Sequence, residues 1–327
     1  MQTSRKVLVT GGAGFIGSHV VEALLRRRYS VAVVDNFDEF YPPSLKERNL
    51  DEVRSVGEFQ VHRVDIRDSA ALRMVFDREK PNIVIHLAAR AGVRPSILQP
   101  KLYEEVNVGG TLNLLMAAES CGVRKFVFGS SSSVYGATAR VPFSEEPLEL
   151  RPVSPYAATK LAGEMLCYTY SYLYHLPCIC LRFFTVYGPR QRPDLAIRRF
   201  AEFMVRNQPI PIYGDGTAAR DYTSVEDIVD GIIFSITYET QFDVFNLGNS
   251  NPVTLLELVR LLETAAKRRA TLDFQPPQPG DVPRTWADIS KARRLLGFEP
   301  RTQLADGLQR FWKWHMAERI ASKTAGS

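Results

Sequence analysis

The chain has 327 residues, 45% of them hydrophobic and 24% charged, with a formal net charge of +5. That balance belongs to a globular protein large enough for two lobes, and no apolar run approaches the ~20 residues that crossing a bilayer requires. The basic residues are dispersed, with no stripe interleaved with aromatics, which argues against nucleic acid and favours an anionic small substrate.

Residues 1–6 lead straight into an apolar strand and leave no room for a signal peptide, so the cytoplasm is the expected location. Cys121, Cys167, Cys178 and Cys180 show no Cys-x-x-Cys spacing and are expected to be buried free thiols. None of the five histidines stands at a metal spacing from another ligand, so no metal site is expected.

Residues 7–10 read as a buried strand. Gly11, Gly12, Ala13, Gly14, Phe15, Ile16 and Gly17 follow it and open an apolar-periodic helix through Val20, Val21, Leu24 and Leu25. Strand, glycine turn and helix form the context in which such a loop binds a pyrophosphate: Gly11 permits the turn, Gly14 the approach of the anion and Gly17 close packing of the helix. A second strand, 30–34, ends in Asp35, whose carboxylate suits a ribose 2′- and 3′-hydroxyl and repels a 2′-phosphate. No arginine stands at Asn36 or Phe37 to offset that repulsion, so NAD is expected rather than NADP.

The alternation continues with a strand at 59–64 ending in Asp65 and Ile66, and a helix near 69–76. A strand at 82–87 then ends in Leu87, Ala88 and Ala89, followed by a long helix at 103–120 and a strand at 125–128. This predicts an α/β, doubly wound parallel sheet with ligands beyond the strands' carboxyl ends. The run Ser130, Ser131, Ser132, Ser133 is read either as a polar turn or as a source of a proton-relaying hydroxyl. Ser154 is a good N-cap and Pro155 suits the first helical position. Tyr156 and Lys160 then lie one turn apart on one face, where a cation can favour a phenolate.

The Gly11/Gly14/Gly17 loop, Asp35, Asp65 and Ile66, Leu87 to Ala89, the serine run before Val134-Tyr135-Gly136, and Tyr156 with Lys160 together resemble an extended short-chain dehydrogenase/reductase. More narrowly they resemble its nucleotide-sugar epimerases and dehydratases, over about residues 5–311. The resemblance implies a Rossmann domain over 1–182, to which 224–248 return, a smaller C-terminal α/β substrate domain over 183–223 and 249–319, and a tail at 320–327. It places NAD against Gly11, Gly14, Phe15, Ile16, Gly17, Asp35, Asn36, Asp65, Ile66, Leu87, Ala88, Ala89, Tyr156 and Lys160. Ser131, Tyr156 and Lys160 would be the catalytic set. Ser132 and Ser133 fall where the dehydratases carry Asp and Glu, which counts against loss of water and, more mildly, against decarboxylation.

The segment from Phe183 to Asp194 is similar to the UDP-glucuronate 4-epimerase branch, in which a loop arginine binds the sugar carboxylate; by position that is Arg192. The segments from Asn36 to Glu47 and from Arg90 to Ser96 resemble the same branch and make Arg94 a substrate-side cation. The resemblance adds Ser131, Ser132 and Thr185 as sugar contacts, and Tyr213, Arg220 and Asp281 as contacts along the nucleotide. The implied activity is 4-epimerisation of UDP-glucuronate through a transient 4-keto sugar. The open alternatives are a UDP-glucose or UDP-N-acetylglucosamine epimerase, a decarboxylase, and a non-catalytic NAD-binding protein. A homodimer through helices near 103–120 and 156–172 is implied by the resemblance alone.

Overall fold

Along the central strands Val7, Val9, Val31 and Val33 pack into one apolar layer while Leu8, Ala32 and Val34 pack into the other. A strand covered on both faces needs apolar residues at every position, which is why these runs show no polar alternation. The computed structural model describes residues 5–137, 140–146, 150–277 and 282–324.

The first half of the chain runs β1 (Lys6–Thr10), α1 (Phe15–Arg26), β2 (Ser30–Val34), α2 (Pro43–Arg54), β3 (Gln60–His62), α3 (Ser69–Glu79), β4 (Ile83–His86), α4 (Val93–Leu98), α5 (Pro100–Glu104), α6 (Gly110–Ser120) and β5 (Lys125–Ser131). It continues with α7 (Pro155–Tyr174), β6 (Cys178–Phe183), β7 (Thr185–Tyr187), α8 (Ala196–Val205), β8 (Ile210–Tyr213), β9 (Ala219–Ser224) and α9 (Val225–Thr237). The remainder is β10 (Phe242–Leu247), β11 (Pro252–Thr254), α10 (Leu255–Ala266), β12 (Leu272–Gln275), α11 (Ser290–Leu296) and α12 (Leu304–Thr324).

The seven-stranded sheet has the order β10-β6-β5-β4-β1-β2-β3, parallel throughout. Strand order reverses between β1 and β4, so a crevice opens at their carboxyl ends, the position at which such sheets bind ligands. Helices α1 and α9 cover one face, and α3, α6 and α7 the other. The segment after the sheet's sixth strand builds a second core around Tyr187, Phe200, Ile212, Leu258 and Phe311. Its sheets are small: β11-β9-β7, and β12 paired with β8.

The expected long helix at 103–120 is interrupted. Between α5 and α6, residues Glu105–Gly109 form a π-helical turn, and Asn107 within it accepts from Arg90 N and donates to Arg90 O and to Thr159. The apolar periodicity of the C-terminal segment predicts a helix over 304–314, and the helix runs ten residues further, to Thr324. Pairs such as Arg319 with Glu202 hold that extension to α8, so apolar periodicity could not reveal it. Helix α2 was not expected at all, because its buried face mixes Lys46 and Asn49 with Leu50 and Val53.

Glu164, fully buried on α7, receives both Nε and Nη2 of Arg182 on β6 at 2.9 and 2.7 Å, and the Ser130 hydroxyl of β5. Breaking such a pair strands a charge. Glu164→Gln is expected to lower unfolding stability by about 3 kcal/mol in urea titrations; a loss below ~0.5 kcal/mol would show that the pair does not hold the three elements together.

Candidate active site

The turn after β1 is built on close approach. Gly11 has φ +70°, and a Cβ there would stand 2.7 Å from Ala88 N; a Cβ on Gly17 would stand 2.0 Å from the Gly11 carbonyl oxygen. Any side chain at either position would push α1 off the turn or close the gap to β4. Gly14 is the N-cap residue of α1 and offers no side chain of its own, so the helix's first N–H groups face the crevice. This cradle fits a dinucleotide's pyrophosphate.

Asp35 closes β2. One of its carboxylate oxygens accepts from Ala13 N at 3.1 Å, the other from Phe37 N at 2.9 Å, and Lys46 Nζ lies 3.9 Å away. Burial pushes the Asp35 carboxyl up, and Lys46 opposes that shift. Lys46 escaped the sequence reading because it belongs to α2; it brings to the ribose-side carboxylate the countercharge that residues 36 and 37 lack. Asp65 is held by Arg67 through both side-chain nitrogens and the backbone, and by Asn36 Nδ2 at 2.9 Å. These bonds, with Arg67 first, bring its carboxyl down to about 2.

A cavity of about 480 Å³ joins these groups to the serine run and α7. Every position proposed for NAD lines it, from the glycine turn to Lys160, as do Ser131, Ser132, Thr185 and Arg192. Arg94, Tyr213 and Arg220 do not line it. Arg94 instead lies over the Tyr213 ring, 4.8 Å from its centroid, and Arg220 donates to the carbonyl of Ala219 at 2.9 Å. Asp281 lies outside the described residues. Phe40, Tyr41, Asp38, Arg90 and Asp194 also line the cavity and were not singled out from the sequence. Their only signal was the similarity of the segments 36–47, 90–96 and 183–194 to one family branch.

Ser154 caps α7, accepting from Ala157 N at 3.2 Å, with Pro155 in the first turn as expected. Burial pushes the Tyr156 phenol up; a hydrogen bond to Ser131 and the charge of Arg192 pull it back. The Ser131 hydroxyl also accepts from Ser133 N and Ser133 Oγ, at 3.2 and 2.9 Å, so its oxygen is fixed from two sides. Lys160, one turn further along α7, is anchored to β5. Its ammonium donates to the Gly129 carbonyl at 2.7 Å, and burial brings it down to about 8. Arg192, from a loop 36 residues beyond Tyr156 in the chain, adds a positive charge that acts on the phenol.

Arg192 is itself engaged. Its Nε and Nη2 donate to the two carboxylate oxygens of Asp194 at 3.0 and 2.9 Å, and its guanidinium lies 5.5 Å from the centre of the Phe40 ring. Burial works against the charge, and Asp194 more than compensates, leaving Arg192 above its usual value.

The comparisons with known proteins agree with this geometry. Residues 8–311 match the family described as GDP-mannose 4,6 dehydratase. A UDP-glucuronate 4-epimerase of Thermodesulfobacterium geofontis is 42% identical over 308 residues, covering 94% of this chain and 95% of that protein. The structure of UDP-glucuronic acid 4-epimerase from Bacillus cereus, in complex with UDP-glucuronic acid and NAD, superposes with a TM-score of 0.90. It is 38% identical, covering 96% of this chain and 99% of that one. UDP-glucose 4-epimerase of Thermotoga maritima with UDP-glucose is 34% identical, with a TM-score of 0.89 and coverage of 96% and 99%. On a sheet reversed between β1 and β4, with a glycine cradle and Ser131 bonded to Tyr156, these likenesses have one meaning: the chain belongs to the NAD-dependent epimerase/dehydratase family, the extended short-chain dehydrogenase/reductases.

Proposed function

We propose that this chain inverts C4 of UDP-glucuronate to give UDP-galacturonate, through a transient 4-keto sugar. One observation carries the reading: Arg192 lines the same cavity as Ser131 and Tyr156, close enough for its charge to act on the phenol. A guanidinium beside the reacting hydroxyl is where the neighbouring carboxylate of a sugar acid would pair. The relatives named as UDP-glucuronate 4-epimerases support the same substrate.

NAD, held by the glycine turn, Asp35 and the ends of β3 to β5, supplies the acceptor and later the donor of the C4 hydride. The protein's own part is proton transfer and orientation. Tyr156, whose phenol is held up by burial and pulled back by Ser131 and Arg192, takes the 4-hydroxyl proton directly or through Ser131 and returns it after the sugar turns. Lys160, fixed on Gly129, keeps a cation at the end of β5. Arg192 has given Nε and Nη2 to Asp194, which leaves the Nη1 hydrogens for the substrate carboxylate. A carboxylate beta to a ketone readily leaves as carbon dioxide, and a pair with Arg192 would restrain its rotation.

The neutral-sugar reading keeps one observation of its own. Because Asp194 already balances Arg192, the loop carries no unmatched charge, and UDP-glucose would meet no isolated cation. A homodimer is the further expectation. Met116 of α6 and Met165, Tyr168 and Tyr172 of α7 are each at least half exposed, and these two helices pack side by side. A continuous apolar face of that kind suits a second copy of the chain.

Proton NMR of the purified protein with UDP-glucuronate, and in parallel with UDP-glucose, without added cofactor, tests the substrate. Only the uronate should give its 4-epimer, and Arg192→Ala should cut that turnover by roughly 10²-fold or more. Conversion of the neutral sugar alone would overturn the uronate reading while leaving the catalytic set standing. Tyr156→Phe should lose at least ~10²-fold in turnover with its NAD content unchanged, and full activity would remove the phenol from the mechanism. Light scattering after size exclusion should give a dimer that Met165→Glu with Tyr172→Glu converts to a monomer; a dimeric double variant would move the interface elsewhere.

A further inference from the structure

A second cavity, of about 550 Å³, lies behind the Arg192 loop, between α8 and α12, with Leu45 and Pro193 on its wall. Four arginines line it, Arg198, Arg199, Arg206 and Arg319, against two carboxylates, Glu202 and Glu318. With a neutral histidine the lining therefore holds two positive charges more than it balances. That excess equals the charge of a phosphate monoester dianion.

The histidine is His315. It is 2% exposed, and neither ring nitrogen has a hydrogen-bond partner; Nε2 lies 3.5 Å from a Glu202 oxygen without bonding alignment. Its ring is stacked on Phe311 at 5.8 Å, so the rotamer is fixed by packing and not by polar partners. Burial, reinforced by Arg198, brings the imidazole down to about 4. At neutral pH one ring nitrogen is thus a donor facing a cation-lined cavity. A buried polar group left unmatched is unfavourable, and a ligand oxygen would satisfy it.

The same arginines reach the active-site loop. Arg198 donates through Nη1 to the Gln191 carbonyl and through Nη2 to Glu318 at 2.7 Å. Gln191 precedes Arg192, and Pro193, between Arg192 and Asp194, forms part of both the loop and the cavity wall.

We propose that this cavity is a second anion site, which binds a phosphate-bearing small molecule through Arg199, Arg319 and the His315 N–H, and that its occupancy shifts the Arg192 loop through Arg198. The binding stands apart from the reaction proposed above, and only the effect on uronate affinity rests on that reading. Leu45 and Phe203 offer apolar wall for the remainder of a phosphorylated metabolite, which distinguishes it from free phosphate.

The test uses the NAD-loaded enzyme with its substrate site saturated by UDP. Inorganic phosphate and, separately, glucose 1-phosphate are titrated while the His315 ring protons are followed by NMR, assigned through His315→Asn. A saturable shift at millimolar ligand, tighter for glucose 1-phosphate, absent with chloride at equal ionic strength and lost in Arg199→Glu, is the expected result. No shift, or the same shift in Arg199→Glu, overturns the site. In turnover assays without UDP, the ligand should change KM for the uronate several-fold in the wild type and not in Arg199→Glu; an equal change in both would place the effect at the substrate site and overturn the coupling.

Discussion

A carboxylate cannot be buried alone, and Glu164 is fully buried. The fork of Arg182 and the hydroxyl of Ser130 answer it, which fixes α7 to β6 and β5 at one point. The groups expected to carry the chemistry hang from those same elements: Tyr156 and Lys160 are two turns and one turn earlier on the same stripe of α7, and Ser131 follows Ser130 on β5. Lys160 adds a bond from helix to strand through the Gly129 carbonyl. The spacing between phenol and serine hydroxyl is therefore set by a buried ion pair beneath them.

Charge in the crevice is distributed in pairs. Asp35 faces Lys46, Asp65 faces Arg67, Asp38 faces Arg90 and Arg192 faces Asp194. Each pair helps to keep an ionised group in place against the cost of burial. Arg192 bears on two matters at once. Its charge helps the phenol ionise, and a sugar carboxylate paired with it would offset part of that help. Asp194 tempers the same charge before any ligand arrives. The family name attached to residues 8–311 is that of a dehydratase, yet Ser132 and Ser133 provide neither acid nor base for removing water, which counts against that chemistry here.

Much of this was legible before any coordinates. The sequence pattern predicts a helix over 225–237 and a strand over 242–247, and α9 and β10 keep those bounds. The NAD-side positions all meet in one cavity, since all but Tyr156 and Lys160 on α7 end or follow a strand and parallel strands deliver their ends to the same edge. Helix α2 was not legible, because Asn49 is buried to bond the Ala13 carbonyl and Lys46 to reach the carbonyl of Asp38, which breaks the apolar stripe. Helix α4 contains Pro95 inside its span and follows Gly92, two signals that argue against a helix. Arg94 and Tyr213 were singled out separately and meet each other, a pairing that no local pattern encodes.

What the sequence determined by itself is whatever depends on neighbours along the chain: the strand-turn-helix of the glycine loop, the capped start of α7 and the identity of the residues at each strand end. Local backbone preference and the burial of one face suffice for these. What only the tertiary structure decided is which charge meets which. The four-residue spacing of Tyr156 and Lys160 suggested that the lysine would act on the phenol. Folding lodges the lysine's ammonium on Gly129 and adds the charge of Arg192 from a distant loop, a meeting that no local pattern encodes.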